Sequence, residues 1–379
     1  MEEKASSIKL VQVGKKRSLQ RAFIQFPKEL YQDSPFYVPA FDLEMRILLR
    51  KKHPFFLHSA GEFFLVRRGE KVVGRFLICE NNRYNQFHGT SYAFFDFFDS
   101  IDDFQVATAI FDAMKEWAKE HGLSALAGPM LSGGAGGAGV LIEGFEYLPA
   151  MTMMRYNYSY YRKLLEEGGF TKLVDLHSFS VPPEAMKLPE RVERLSEIVA
   201  KRGRFSVLRF KSKREVLKVV DDIKALYGVT LNHHVEDYPL TKEELDQVEK
   251  DLLTVLRPDL IALLAYDGKV IGYAFGFADI SPVLIQNRGH LDPGSILRLI
   301  QGMKRSRKIL FNGLGILPHY QRLGGNALLY RELARIVEEG GFDDVEMVQI
   351  SEQTGLMLRD AGTLGGKPFK VHRMYQKQL

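Results

Sequence analysis

Short stretches of alternating apolar and polar residues are interleaved with longer ones in which apolar residues return every three or four positions, the marks of strands and helices in turn. In the first half they predict a strand over Ile8 to Val13, helices near Leu19 to Leu30 and Asp42 to Arg50, and two strands, Phe63 to Val66 and Val72 to Cys79, joined by a tight glycine-containing turn. The run Tyr92-Ala93-Phe94-Phe95-Asp96-Phe97-Phe98 is too short to span a bilayer and reads as a buried strand. A helix near Asp103 to His121, a strand over Ser124 to Ala127, a helix over Ser159 to Glu167 and a strand over Thr171 to Val181 complete this half.

The order then repeats. Phe205 to Phe210 is a strand, Lys213 to Tyr227 and Lys242 to Thr254 are helices, and Leu260 to Ala265 with Val270 to Phe277 form a second strand pair before the strand Ile309 to Ile316. Helix, strand, helix and strand follow. Thr241-Lys242-Glu243-Glu244 is a capping box for the second of these helices. The turn Arg68-Gly69-Glu70-Lys71-Val72-Val73-Gly74 returns as Tyr266-Asp267-Gly268-Lys269-Val270-Ile271-Gly272, with Lys71 and Lys269 198 positions apart. Lys172 and Lys370, each at the start of a late strand, have the same spacing. Two matches in one order at one offset indicate a duplicated unit of roughly 180 to 190 residues. Paired prolines at Pro182-Pro183 mark the join, so the expected domains are 1–182 and 183–379.

One segment carries chemistry: Asn312-Gly313-Leu314-Gly315-Ile316-Leu317-Pro318-His319-Tyr320-Gln321-Arg322-Leu323-Gly324-Gly325-Asn326-Ala327-Leu328-Leu329-Tyr330. Proline ends a strand, glycines remove side chains that would block close approach, and the first turn of the next helix leaves N–H groups free for an anion such as a pyrophosphate. The bland alternative is an ordinary strand-to-helix turn.

This segment resembles motif A of the GCN5-related N-acetyltransferase (GNAT) superfamily, glutamine or arginine, two residues, glycine, one residue, then glycine or alanine. A register from Arg322 meets the pattern with Gly325 and Ala327; one from Gln321 meets it at Gly324, departs from it at Asn326, and sets Leu329 at an apolar core position. The Gln321 register is preferred. Leu364-Gly365-Gly366-Lys367-Pro368-Phe369-Lys370 leading into Val371 to Tyr375 looks like the closing hairpin of that fold. The first half has the same element order but no motif A, and its Gly128-Pro129-Met130, Glu143-Gly144-Phe145 and Tyr156-Asn157-Tyr158 are similar to a group of bacterial tandem acetyltransferase-like proteins.

The resemblance implies an α/β (α+β) fold class of tandem acyl-CoA N-acyltransferase folds, each a mixed, mostly antiparallel twisted sheet flanked by helices. It implies acetyl-CoA or another acyl-CoA in the second half, with Leu314, Gly315 and Ile316 on the pantetheine and Gln321, Arg322, Leu323, Gly324, Gly325, Asn326 and Ala327 around the pyrophosphate. The reaction would be direct attack of a neutral amine on the thioester, which needs donors for the oxyanion, a route for the amine proton and an acid for the leaving thiolate. The family's usual acid is a tyrosine on the helix after the fifth strand, and Thr354 to Thr363 contains none. Glu346 and Glu352 are the candidate bases, each with a surface or capping role as its alternative. A second reading, a non-catalytic acyl-CoA sensor or scaffold, follows from the missing tyrosine.

Other signals weigh less. Gly134-Ala135-Gly136-Gly137-Ala138-Gly139 matches the dinucleotide fingerprint, but Val140 to Phe145 is too brief for the long helix that fingerprint requires. Asn232-His233-His234-Val235-Glu236-Asp237 has metal-binding residue types without convergent ligands, so no metal is expected and Asn232 and His234 are placed at the acceptor cleft. Lys304-Arg305-Ser306-Arg307-Lys308 is a dense basic run that suits a solvated face or CoA phosphates; with no aromatic platform beside it, no nucleic acid is expected.

Composition fits this picture. A chain of 379 residues suits two domains, and 45% hydrophobic with 26% charged residues is a globular balance. Fifty-two basic against 47 acidic residues leave +5, compatible with an anionic cofactor. A lone Cys79 excludes an internal disulfide and a cysteine zinc site. The polar start and the lack of an 18-residue apolar run predict a cytoplasmic protein without a membrane span. A tandem pair can satisfy internally the packing that single-unit relatives obtain by dimerising, so a monomer or homodimer acting on a small-molecule or peptide amine is expected.

Overall fold

The duplicated hairpin forms twice, in matching register. In this computed structural model, which describes residues 7–131, 137–182, 184, 188–230 and 237–379, the elements begin with β1 (Ile8–Gln12), α1 (Arg17–Leu30), α2 (Asp42–Leu49), β2 (Ala60–Arg68), β3 (Lys71–Glu80), α3 (Asn82–His88), β4 (Tyr92–Ser100) and α4 (Phe104–Glu120). Next are β5 (Ala125–Gly128), β6 (Val140–Glu143), α5 (Tyr160–Glu167), β7 (Thr171–Val181), α6 (Glu190–Lys201), β8 (Phe205–Arg209), α7 (Lys213–Leu217), α8 (Val220–Thr230) and α9 (Lys242–Val255). The chain ends with β9 (Ile261–Tyr266), β10 (Lys269–Ala278), α10 (Ser281–Asn287), α11 (Pro293–Arg305), β11 (Lys308–Ile316), α12 (Gly325–Gly340), β12 (Asp344–Ser351), α13 (Gly355–Thr363) and β13 (Lys367–Gln378).

Lys71 and Lys269 each open the second strand of a hairpin, and three residues on, Gly74 pairs with Ser100 while Gly272 pairs with Ile316. In both units the next strand is nine residues long and carries a bulge, with a positive φ at its sixth residue: Phe97 at 48° and Gly313 at 116°. The duplication therefore extends to backbone geometry.

The chain divides into two units, one of Met1–Leu176, Ser281–Arg298 and Lys370–Leu379, the other of His177–Ile280 and Leu299–Phe369. In the first, β1 to β4 are antiparallel, β4 runs parallel to β5, and β13 lies antiparallel to β5 and β6. Helix α4 covers this sheet because its apolar residues Val106, Ile110, Met114 and Trp117 recur at helical spacing and are all buried. In the second, β8 to β11 are antiparallel, β11 runs parallel to β12, and the last residues of β7 flank β12, where Gln349 N donates to Ser178 Oγ at 3.2 Å. Leu328, Leu329, Leu333, Ile336 and Val337 of α12 are buried in this core, each stabilising it by about 1.5–3 kcal/mol.

Three expectations change. The expected division at 182/183 is not that of the packing units: residues 281–298 pack in the first unit, where Ser281 Oγ donates to the Pro149 carbonyl at 3.1 Å. β13 is not a hairpin closing the second unit; Tyr375 to Gln378 pair with Gly128 to Ala125. Alternation marks a strand but does not name its partner, because any extended segment offers the same N–H and C=O ladder. The helix predicted over Lys213 to Tyr227 is two, α7 and α8. The capping box is as read, with Thr241 N to Glu244 Oε2 at 2.9 Å and Glu244 N to Thr241 Oγ1 at 3.2 Å. Among the described residues, no helix is long and apolar enough to cross a membrane.

Candidate functional site

The candidate site lies where β11 leaves β12. The two parallel strands pair only over Lys308–Phe311 and Asp344–Met347, although β11 continues to Ile316 and β12 to Ser351. The bulge at Asn312 and Gly313 redirects β11 at that point. Beyond it Leu314, Gly315 and Ile316 pair with Ala274, Tyr273 and Gly272, which occupies one edge of the strand. The other edge has no strand partner among the described residues, and backbone groups there are open to an extended ligand.

The turn below presents a helix start. Leu317 N donates to the Ile271 carbonyl at 2.8 Å, and Gln321 Nε2 donates back to the Ile316 carbonyl at 3.0 Å, pinning the turn to the strand it follows. Arg322 has a φ of 63° and Gly324 of 92°. Helix α12 opens at Gly325 with no side chain capping it. Ala327 N is taken by the Gly324 carbonyl at 3.1 Å, and among the described residues no partner is found for the amides of Gly325 and Asn326. Uncapped amides with the helix dipole, equivalent to roughly half a positive charge, favour a nearby anion. The two glycines are also close-packed: a Cβ at Gly324 would lie 2.7 Å from Val199 Cγ2, and one at Gly325 2.7 Å from Leu264 Cδ2. They bring the helix start down onto α6 and β9, and Asn326, the departure from motif A, is half-buried in the first turn.

The first unit has the same strand-to-helix crossing with this chemistry removed. Asp103 caps α4 by accepting from Gln105 N at 2.8 Å, and Arg68 pairs with the same carboxylate at 2.6 Å. Burial pushes the Asp103 carboxyl up, but Arg68 and the two amides outweigh it and hold it below the usual range. A fixed negative charge thus caps the helix whose counterpart in the second unit has no side-chain cap. Where the strands would part, Met130 N donates to the Phe95 carbonyl at 2.9 Å, and Arg155 pairs with the buried Asp96 beside the bulge.

Of the proposed bases, Glu346 is fully buried and pairs with Lys308 Nζ at 2.9 Å. Burial works against the Lys308 charge, yet Glu346 and Asp344 outweigh it and hold its pKa above the ordinary value. Glu352 lies half-buried in the turn after β12. Asn232 and His234 lie outside the described residues. The expected acid position is empty of tyrosine on α13, but the neighbouring α12 carries Tyr330 one turn beyond Asn326. Burial pushes this phenol far up, the Asp360 carboxylate of α13 adds to the shift, and Asn326 opposes it. Tyr330 follows Asn326 by four positions, so both fall on one face of α12.

Gly134 to Gly136 lie outside the described residues, and Gly139 is followed by β6, not by a helix. The basic run divides: Arg307 pairs with Asp343 at 2.5 Å and Lys308 with Glu346, while Lys304 and Arg305 stay exposed at the end of α11. Among the described residues, no group of three His, Cys, Asp or Glu could hold a metal.

No protein-family profile matches the chain. Protein YghO of Escherichia coli K12 is 25% identical over 365 residues, covering 95% of this chain and 93% of that one. The bacterial ceramide synthase of Caulobacter vibrioides is 25% identical over 375 residues, covering 95% and 94%. Among solved structures, a tandem GNAT protein from the clavulanic acid biosynthesis pathway superposes with a TM-score of 0.57 at 12% identity, over 98% of both chains. Two duplicated units, with β11 parting from β12 in the second, and this whole-length superposition give the chain the tandem fold of the GCN5-related N-acetyltransferases.

Proposed function

We propose that this protein is an N-acyltransferase that takes an acyl group from acyl-CoA and passes it to an amine, with its cofactor in the second unit only. The observation that carries this reading is the parting of β11 from β12 beside an uncapped α12, set against a first unit whose equivalent helix is capped by Asp103. The free edge of Leu314 to Ile316 would take the amide-bearing arm, and the amides of Gly325 and Asn326, with Arg322, the pyrophosphate. Bound there, acyl-CoA supplies an activated thioester: a C–N bond forms as the C–S bond breaks, the amine loses a proton and the thiolate gains one. Glu346 is committed to Lys308 and holds β11 to β12 at the point of parting, so its role is positional. Glu352, in the turn after β12, is the remaining carboxylate candidate for accepting the amine proton.

The ceramide synthase likeness makes a long-chain amine the first acceptor to test, with long acyl chains among the donors. A sensor that binds acyl-CoA without turning it over is the second reading, favoured by the lack of a tyrosine on α13. Calorimetric titration of acetyl-CoA and longer acyl-CoAs into the wild type and Asn326→Asp separates the outcomes. An acidic residue in the first turn suits the helix dipole, so the variant should fold as well as the wild type, yet its charge repels pyrophosphate. Binding weakened at least about tenfold in the variant supports the site, at roughly 1.4 kcal/mol per tenfold. No binding by folded wild type removes both readings. Thiol release that depends on an added amine then decides for the transferase, and binding without it decides for the sensor.

A further inference from the structure

Helix α11 shows apolar residues on the side turned away from its packing. Ile296, Leu297 and Ile300 are 45%, 56% and 43% exposed. At 100° per residue they fall, with the half-buried Met303 and the exposed Lys304, within an arc of about 120°. The helix is held by its other side, where Leu299 and Ser295 are buried. Ser295 N donates to Asp292 Oδ1 at 2.9 Å and Arg298 Nε to Asn287 Oδ1 at 2.7 Å. An anchored helix with three large aliphatic side chains in water on one stripe calls for an occupant.

Charge identifies it. Lys304 and Arg305 stand exposed in the last turn, Arg307 follows, and no acidic residue lies between Pro293 and Lys308. We infer that α11 is a peripheral docking helix for an anionic phospholipid surface, with Ile296, Leu297 and Ile300 entering the interface and Lys304 and Arg305 meeting the headgroups. An apolar stripe ending in basic residues is the composition of a helix that lies in the plane of a bilayer surface. A docked position would let the enzyme meet acceptors or donors with long chains without their leaving the lipid phase, but the surface itself stands independently of the acyl-transfer reading.

The test is flotation of the full chain with vesicles of phosphatidylcholine alone and of phosphatidylcholine containing a third phosphatidylglycerol. Wild type should float with the anionic vesicles and bind the neutral ones at least about tenfold more weakly. The triple variant Ile296→Gln, Leu297→Gln, Ile300→Gln and the double variant Lys304→Gln, Arg305→Gln should each lose binding by at least about tenfold while keeping the wild-type thermal melt, because every changed side chain is exposed. Failure of the wild type to float, or flotation unchanged in the triple variant, overturns the inference. So does a wild-type mass in light scattering that doubles with concentration and falls to the monomer in the triple variant without vesicle binding, which would assign the stripe to a second copy of the chain.

Discussion

Arg373 donates from Nε and Nη2 to the two carboxylate oxygens of Asp175, at 2.7 and 2.9 Å, and the two residues stand 198 positions apart, the spacing that separates Lys71 from Lys269. Equivalent positions of the two repeats have thus diverged to opposite charges and pair with each other. The Arg373 guanidinium outweighs burial and holds the Asp175 carboxyl below its usual range. Both side chains are largely buried, and Asp175 keeps Lys172 at 3.1 Å while Arg373 keeps Glu166 at 3.8 Å, so removing Asp175 takes from Arg373 its closest charge partner. Asp175→Ala is expected to lower stability by about 2–4 kcal/mol in urea unfolding, and the double variant Asp175→Ala, Arg373→Met by clearly less than the two single losses together. Additive losses would show that the pair is not coupled.

Arg322 combines a charge at the anion turn with a φ of 63° that a non-glycine residue adopts at a cost. Arg322→Gly should relieve the strain and raise stability by up to about 1 kcal/mol, while acyl-CoA binding weakens through loss of the guanidinium. Melting temperature and calorimetric affinity moving in opposite directions would bear this out; tighter binding by the glycine variant would remove Arg322 from the site.

His372 is buried, and its Nε2–H donates to the Arg155 carbonyl at 3.0 Å. Burial, with Lys370 nearby, brings its pKa down to about 4 despite that bond. The unfolded chain then takes up a proton below about pH 6.5 while the folded protein does not. Stability contributed by the neutral imidazole is complete above pH 6.5 and declines as the pH falls toward 4, by roughly 3 kcal/mol in all. Urea midpoints across that range in the wild type and in His372→Asn should show the steeper slope in the wild type; parallel slopes would mean that other groups set the acid limit.

Much of this architecture is local and so was legible in residue order. The hairpins at Lys71 and Lys269, the Thr241–Glu244 box and the Gly324 helix start each depend on neighbours within a few positions, where glycine, threonine and apolar spacing act directly. Repetition of the hairpin at one offset revealed the duplication for the same reason, since each copy forms by itself.

Contacts between distant segments had no such signature. That β13 pairs with β5, that Glu346 meets Lys308, and that Tyr330 comes under the influence of Asp360 depend on which strands and helices become neighbours after the chain has closed. Asp103 shows the difference most directly: in the sequence it only opens a helix, and the fold brings its carboxylate to Arg68 as well as to the first amides of α4. Local sequence determined the elements, the duplication and the anion turn, because those depend on short-range sterics and hydrogen bonding. The tertiary structure alone decided which strands share a sheet and which charges meet, because burial and long-range pairing bring Asp175 to Arg373 and Glu346 to Lys308 only after the chain has closed.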